Sequence, residues 1–232
     1  MSDVVLFSGG EEYVDPWHPF LETSAVVADV LRERGFTVRT VTRVDALAQH
    51  LASSDLLVVN AGGGPQAHPR DAQLQTVIAG HRGGVLALHV AATLLPAGDF
   101  WEKRLGGRWV RGRTMHPARG SMRLTRAEGV ERPGLPAVID TVDEAYSWLR
   151  VSPEAGVLYR QGHDGEPHAV VWTYEREGAR AAYSALGHDV EAYASPAVRA
   201  LVAHLAGWAS GGGGLRDHDE RTARRTVVAP AE

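Results

Sequence analysis

The sequence predicts an α/β fold on a mainly parallel central sheet, and three observations predict it. Short apolar runs that end in glycine or polar residues (Val4–Phe7, Asp55–Asn60, Val85–Leu88) read as fully buried strands. Segments with a helical apolar period lie between them. Strand and helix alternate at the spacing of βαβ units, which sets the strands parallel.

Taken in order, Val4–Phe7 ends in Ser8-Gly9-Gly10, and a helix follows near Pro16 or Pro19, since proline suits a first helical turn. Its buried face is Phe20, Val27, Val30 and Leu31, and Gly35 stops it. Phe36–Val41 is a second strand, Leu47–Ala52 a short helix and Asp55–Asn60 a third strand, broken by Gly62-Gly63-Gly64. Those glycines lack the G-x-G-x-x-G spacing of a dinucleotide site. Ala72–Ala79 is helical and Val85–Leu88 is the fourth strand. Sheets of this kind bind ligands beyond the carboxyl ends of their strands, so the loops after Phe7, Asn60 and Leu88 are expected to meet around one pocket.

The middle is less regular. Gly106-Gly107-Arg108-Trp109, Met115-His116-Pro117 and Arg132-Pro133-Gly134 mark loops around short strands such as Ser121–Thr125. Gly156–Gln161, Ala169–Thr173 and Ala179–Ala185 read as three more strands, with a hairpin turn at Glu175-Arg176-Glu177-Gly178. In the final helix Ser195 caps, Pro196 opens, Val198, Leu201, Val202, Leu205 and Trp208 form the stripe, and Gly211 stops it. Residues 1–210 are expected to form one domain. The 211–232 segment reads as a glycine-rich linker and polar tail, mobile or docked on a neighbouring subunit of a homo-oligomer.

Composition narrows the function. With 44% hydrophobic and 22% charged residues the chain can build a core, and a net charge of −4 argues against nucleic acid as a partner. No apolar stretch is long enough to span a membrane and no signal peptide is visible, so a cytoplasmic location is expected. The absence of cysteine removes disulfides, thiolate metal sites and every cysteine-nucleophile mechanism.

The segment Gly84-Val85-Leu86-Ala87-Leu88-His89-Val90-Ala91-Ala92 is a buried strand that meets a polar residue and then small ones. This is the pattern of a strand-to-helix elbow, which exposes its central residue in a strained conformation. Histidine at that point serves as general base, general acid, donor or metal ligand. The plainer alternative is a strand-end histidine satisfied by backbone groups.

Further features follow in order: His18-Pro19 at a helix start, Leu105-Gly106-Gly107, His116-Pro117, Asp143-Glu144-Ala145-Tyr146, the Pro167–Trp172 strand, and Ala179–Asp189 ending in Ala-Leu-Gly-His-Asp. Together with the Leu88-His89 strand end they resemble the trehalose-utilisation (ThuA-like) family, from about residue 4 to 210. The resemblance implies a flavodoxin-like, class I glutamine amidotransferase-like three-layer sandwich. In the amidotransferases the elbow residue is the cysteine. His89 in its place implies that thiolate chemistry is absent here.

The resemblance also implies a pocket. His89, His188, His116 and Glu144 are its expected catalytic groups, and His18, Asp143, Tyr146, Asp189 and Trp172 its expected substrate-binding groups. Glu144 and Tyr146 fall on one side of an extended strand, Asp189 stands beside His188 to fix its tautomer, and the positive end of the first helix favours an anionic or polyol ligand near His18. Trp101, Trp109, Trp148 and Trp172 offer stacking faces or core residues. The expected substrate is a small-molecule keto-sugar or disaccharide, handled by histidine-mediated proton transfer in isomerisation or elimination. No cofactor is expected; the alternative is a divalent metal held by His89, His116 and His188. The alternative to an enzyme is a non-catalytic sugar-binding or regulatory module on an amidotransferase-like scaffold.

Overall fold

The computed structural model describes residues 2–211 apart from 63, 65 and 131–133. The polar tail from 212 onward, Gly63, and Arg132-Pro133 of the expected loop lie outside the described residues.

Strands β1 (Asp3–Ser8), β2 (Thr37–Val41), β3 (Leu56–Asn60) and β4 (Gly84–Leu88) alternate with helices α1 (Phe20–Arg32), α2 (Val44–Leu51) and α3 (Asp71–Gly80). After β4 come α4 (Phe100–Leu105), β5 (Gly107–Arg108), β6 (Gly120–Arg126), β7 (Val138–Asp143), β8 (Arg150–Val151), β9 (Gly156–His163), β10 (Glu166–Arg176), β11 (Ala179–Ser184) and α5 (Pro196–Ala209). One nine-stranded sheet has the order β2-β1-β3-β4-β11-β10-β9-β6-β7, and β5 pairs separately with β8. From β2 to β11 every pairing is parallel. From β10 to β7 every pairing is antiparallel.

The burial of the strands explains this order. β3 and β4 are buried at every residue and occupy the middle, whereas β2 is largely exposed and forms an edge. The connection from β1 to β2 runs one way along the sheet and that from β2 to β3 runs back. Right-handed crossovers therefore put α1 and α2 on opposite faces. α1 packs with α5, and α2 packs with α3, so helices cover both faces of the parallel half. Gly84 lets α5 approach, because a Cβ there would lie 2.0 Å from the Ala209 carbonyl oxygen.

Two local expectations change. Ser195 stands at the N-cap of α5, but its side chain makes no capping hydrogen bond. The helix expected after the elbow is a single five-residue 3-10 turn, His89–Thr93. Leu95 precedes Pro96 and has φ +49°, so the chain cannot continue as an α-helix. α4 and β7, which carried no clear periodicity, are additional elements.

Candidate functional site

The loops after β1, β3 and β4 meet, as the topology requires, around a cavity of about 790 Å³. Asp15, His18, Gly64, Val90 and Thr93 line it, with Trp109, His116, Glu144, Tyr146 and His188 from the other half of the chain.

His89 is buried against Tyr146 and Glu144 of the cavity lining, 1% exposed, with φ +46°. A non-glycine residue in that region costs about 1–3 kcal/mol. Two hydrogen bonds hold it there: the Tyr183 hydroxyl donates to the His89 carbonyl at 2.8 Å, and His89 Nδ1 donates to the Ala185 carbonyl at 2.8 Å. Because a carbonyl only accepts, the ring proton is on Nδ1 and Nε2 carries the lone pair. The Tyr146 hydroxyl lies 3.0 Å from that Nε2 and donates to it.

His18 is oriented in the same way by a residue the sequence reading missed. Asp15 accepts from the backbone N–H groups of Trp17 and His18, at 2.9 and 3.0 Å, and from His18 Nδ1 at 2.8 Å. Asp15-Pro16-Trp17-His18 could have been read as an Asx turn, which is the available signal. His18 Nε2 then points inward, buried, without a hydrogen-bond partner among the described residues. Burial, with His89 and His188 nearby, holds the ring below the ordinary imidazole range despite Asp15. A polar network beneath fixes the start of α1: Asn60 donates to Thr23 and Ser24, both at 2.9 Å, and Ser24 donates to Ser8 at 2.7 Å.

Glu144 stands at the centre. Its Oε2 is 3.3 Å from His89 Nε2 and 3.4 Å from His116 Nε2, and its Oε1 is 3.4 Å from His188 Nδ1. Burial would raise its carboxyl, but its contact with the proton-bearing His188 ring outweighs burial and holds it below the usual range. The carboxylate in turn raises His188, against partial burial. The expected strand carrying Glu144 and Tyr146 ends instead at Asp143; the next three residues are irregular, yet both side chains reach the cavity. Gln161 on β9 pins this segment by donating to the Tyr146 carbonyl and the Ser147 hydroxyl, each at 2.9 Å. It is a second functional residue that nothing in its local sequence marked.

Asp143 does not face the cavity as a ligand contact. It is 1% exposed, and its carboxylate accepts from the backbone N–H groups of Gly187 (2.7 Å), Glu144 (2.8 Å) and His188 (3.3 Å). It ties the end of β7 to the His188 turn, and burial raises its carboxyl. Asp189 is likewise not what holds His188. It accepts from the Glu191 N–H at 2.8 Å, opening a short 3-10 turn, and pairs with Arg119 at 3.2 Å. The carboxylate beside the His188 ring is Glu144.

Trp172 is a core residue rather than a stacking face. It is 0% exposed, donates to the Leu105 carbonyl at 2.9 Å and lies against Tyr183, with ring centroids 4.2 Å apart. The aromatic walls are Trp109, 4.8 Å from the Tyr146 ring, and Trp17, which is 69% exposed at the mouth. His116 is half-buried on the outer side of Glu144, and its Nδ1 donates to the Pro117 carbonyl at 2.9 Å.

The trehalose-utilisation family (ThuA) matches over residues 3–209. No curated protein matches the sequence. Among solved structures, a ThuA-like protein of Parabacteroides merdae superposes with a TM-score of 0.75 at 18% identity, covering 93% of this chain and 92% of that one. One from Bacteroides uniformis gives 0.66 at 14% identity, covering 89% and 90%. A GMP synthase protein of Thermoplasma acidophilum gives 0.60 at 15% identity, covering 97% and 98%. These likenesses establish the flavodoxin-like, amidotransferase-like fold.

Proposed function

The chain belongs to the trehalose-utilisation (ThuA) family, and on that premise we propose that its cavity takes a keto-sugar or keto-disaccharide and moves a proton beside the carbonyl, in isomerisation or β-elimination. The observation that carries this reading is the gathering of His89, His116 and His188 around one buried carboxylate, Glu144, within a cavity of sugar size.

His116 is the base in this reading. Its Nδ1 proton is committed to the Pro117 carbonyl, so Nε2 keeps its lone pair on the cavity side. A proton taken from the carbon next to the carbonyl lands 3.4 Å from the Glu144 carboxylate, which stabilises the resulting imidazolium. The electron pair of the broken C–H bond moves onto the carbonyl oxygen, toward which the Tyr146 hydroxyl turns its proton from His89 Nε2. Tyr146 stays protonated throughout, because complete burial pushes its phenol well above the ordinary range. His188, whose proton Glu144 helps retain, supplies the acid. In isomerisation it protonates the enolate; in elimination it protonates the oxygen that leaves from the β carbon. Trp17 and Trp109 offer apolar faces to the sugar ring.

The test is turnover of a panel of 3-keto-disaccharides and free sugars, in chelator-free buffer, by the wild type and by His116→Ala. Loss of about 100-fold or more in kcat for the variant supports the base assignment. Saturable sugar binding with no turnover by either protein replaces the enzyme with a binding module.

A further inference from the structure

We propose that His18, His89, Glu144 and His188 form a binding site for a first-row divalent metal ion. The proposal goes beyond the sugar chemistry and does not depend on it, since an ion is measured without any substrate.

The first observation is convergence. One ligand atom from each of the four side chains lies within 4.8 Å of every other. Bonds of about 2.0–2.1 Å to a tetrahedral ion separate neighbouring ligand atoms by about 3.4 Å. The Glu144 carboxylate approaches both neighbours at that value, with Oε2 3.3 Å from His89 Nε2 and Oε1 3.4 Å from His188 Nδ1, so either oxygen can serve as its one ligand atom. Small rotations of the rings close the remainder.

The second observation is a shortage of donors. His18 and His89 each commit Nδ1–H to an oxygen that can only accept, Asp15 in one case and the Ala185 carbonyl in the other. Both Nε2 atoms therefore carry lone pairs toward the same small volume, where His89 Nε2 accepts only from the Tyr146 hydroxyl and His18 Nε2 accepts from nothing among the described residues. His18 Nε2 and His188 Nδ1 are buried with no aligned hydrogen-bond partner among the described residues. Buried polar atoms are nearly always satisfied, so two unpartnered imidazole nitrogens converging on one carboxylate point to a cation between them. The Asp15–His18 and Ala185–His89 contacts are also the outer-shell pattern that fixes the tautomer of metal-binding histidines.

The donor set selects the ion. Three imidazoles and one carboxylate suit zinc, cobalt, nickel, iron or manganese, whereas magnesium and calcium prefer all-oxygen sites. Binding expels any proton that the imidazoles carry in the ion-free protein. His116 lies outside the set. It differs in this from the trio of His89, His116 and His188 expected from the sequence: His18 and Glu144 take the place of His116.

The experiment is elemental analysis of the full chain, as purified and after incubation with Zn²⁺, Mn²⁺, Co²⁺ or Mg²⁺ followed by dialysis. The expected result is about one first-row ion per chain and no retained magnesium. His18→Ala and Glu144→Gln are expected to lose the ion, and His116→Ala to keep it. Asp15→Asn leaves every ligand in place and is expected to weaken binding about 10–100-fold, which gives a reading even where a ligand variant fails to fold. A wild type that takes up none of the ions overturns the proposal, and so does full retention by His18→Ala. Loss of the ion in His116→Ala overturns this ligand set. An ion bound at full stoichiometry with no sugar turned over defeats the proposed reaction and leaves the metal site standing.

Discussion

Histidines gather in two places in this molecule, and the two gatherings differ in what their nitrogens have left to do. Behind β9 and β10, His163 and His168 pack against Trp148, with ring centroids 5.4 and 4.7 Å from it. There His168 is used up: Nδ1 accepts from the Trp148 N–H at 3.3 Å, and Nε2 donates to the His163 carbonyl at 3.2 Å. In the cavity, His18 commits Nδ1 to Asp15 and turns a buried Nε2 inward with no partner, and His188 Nδ1 likewise has no aligned hydrogen-bond partner among the described residues. The outer cluster has two imidazoles and the cavity has four, but number is not what sets them apart. What separates structure from chemistry is the nitrogen left over once local hydrogen bonds are satisfied.

The largest expected effect tests that difference directly. Glu144→Gln removes the charge that the cavity histidines share, and turnover of a responsive keto-sugar is expected to fall by about 100-fold or more. His163→Ala, measured in the same assay, is expected to leave kcat and KM unchanged. Equal losses in the two variants would break the comparison.

A smaller effect runs the other way. His168→Ala strands the Trp148 N–H and the His163 carbonyl, at a cost of about 1–3 kcal/mol in urea unfolding. Turnover per folded molecule is expected to hold. A loss of turnover without a loss of stability would mean that the outer cluster also serves the reaction.

The smallest effect concerns a third histidine. His81 is buried where α3 leads into β4, and its Nε2 donates to the Gly84 carbonyl at 3.2 Å. Burial holds it below 6.5, against that hydrogen bond. The unfolded chain therefore binds the proton more readily, and stability falls as pH drops from 6.5 toward the lowered folded value. Melting temperatures between about pH 7 and about pH 5 are expected to decline less in His81→Gln, which keeps a donor but does not titrate. An identical decline in both proteins would remove His81 from the account.

Much of the frame was legible in the sequence because it depends on local periodicity. The runs Val4–Phe7, Asp55–Asn60 and Val85–Leu88 became β1, β3 and β4 within a residue or two, and the stripe from Val198 to Leu205 is the buried face of α5. The elbow at His89 was legible too, since a buried strand meeting a polar residue and then alanines has few other uses. Trp172 shows where such reading fails: β10 is buried on both faces from Val170 to Tyr174, and only the folded layers reveal that a tryptophan there is core. Asp189 fails for a related reason. Its neighbour in sequence is His188, but its side chain turns to Glu191 and Arg119.

The sequence by itself determined the alternation of strands and helices from β1 to β4, the strained position of His89 and the absence of thiolate chemistry. Each follows from residue type and short spacing. The tertiary structure alone decided which nitrogens face one another. Ala185, which fixes the His89 tautomer, is 96 residues away from it, and Tyr146 is 57 away. These partners are brought together by the parallel pairing of β4 with β11 and by the antiparallel strands that deliver the end of β7 to the cavity. A lone pair becomes available for chemistry only when every neighbour is counted, and that count exists only in the folded chain.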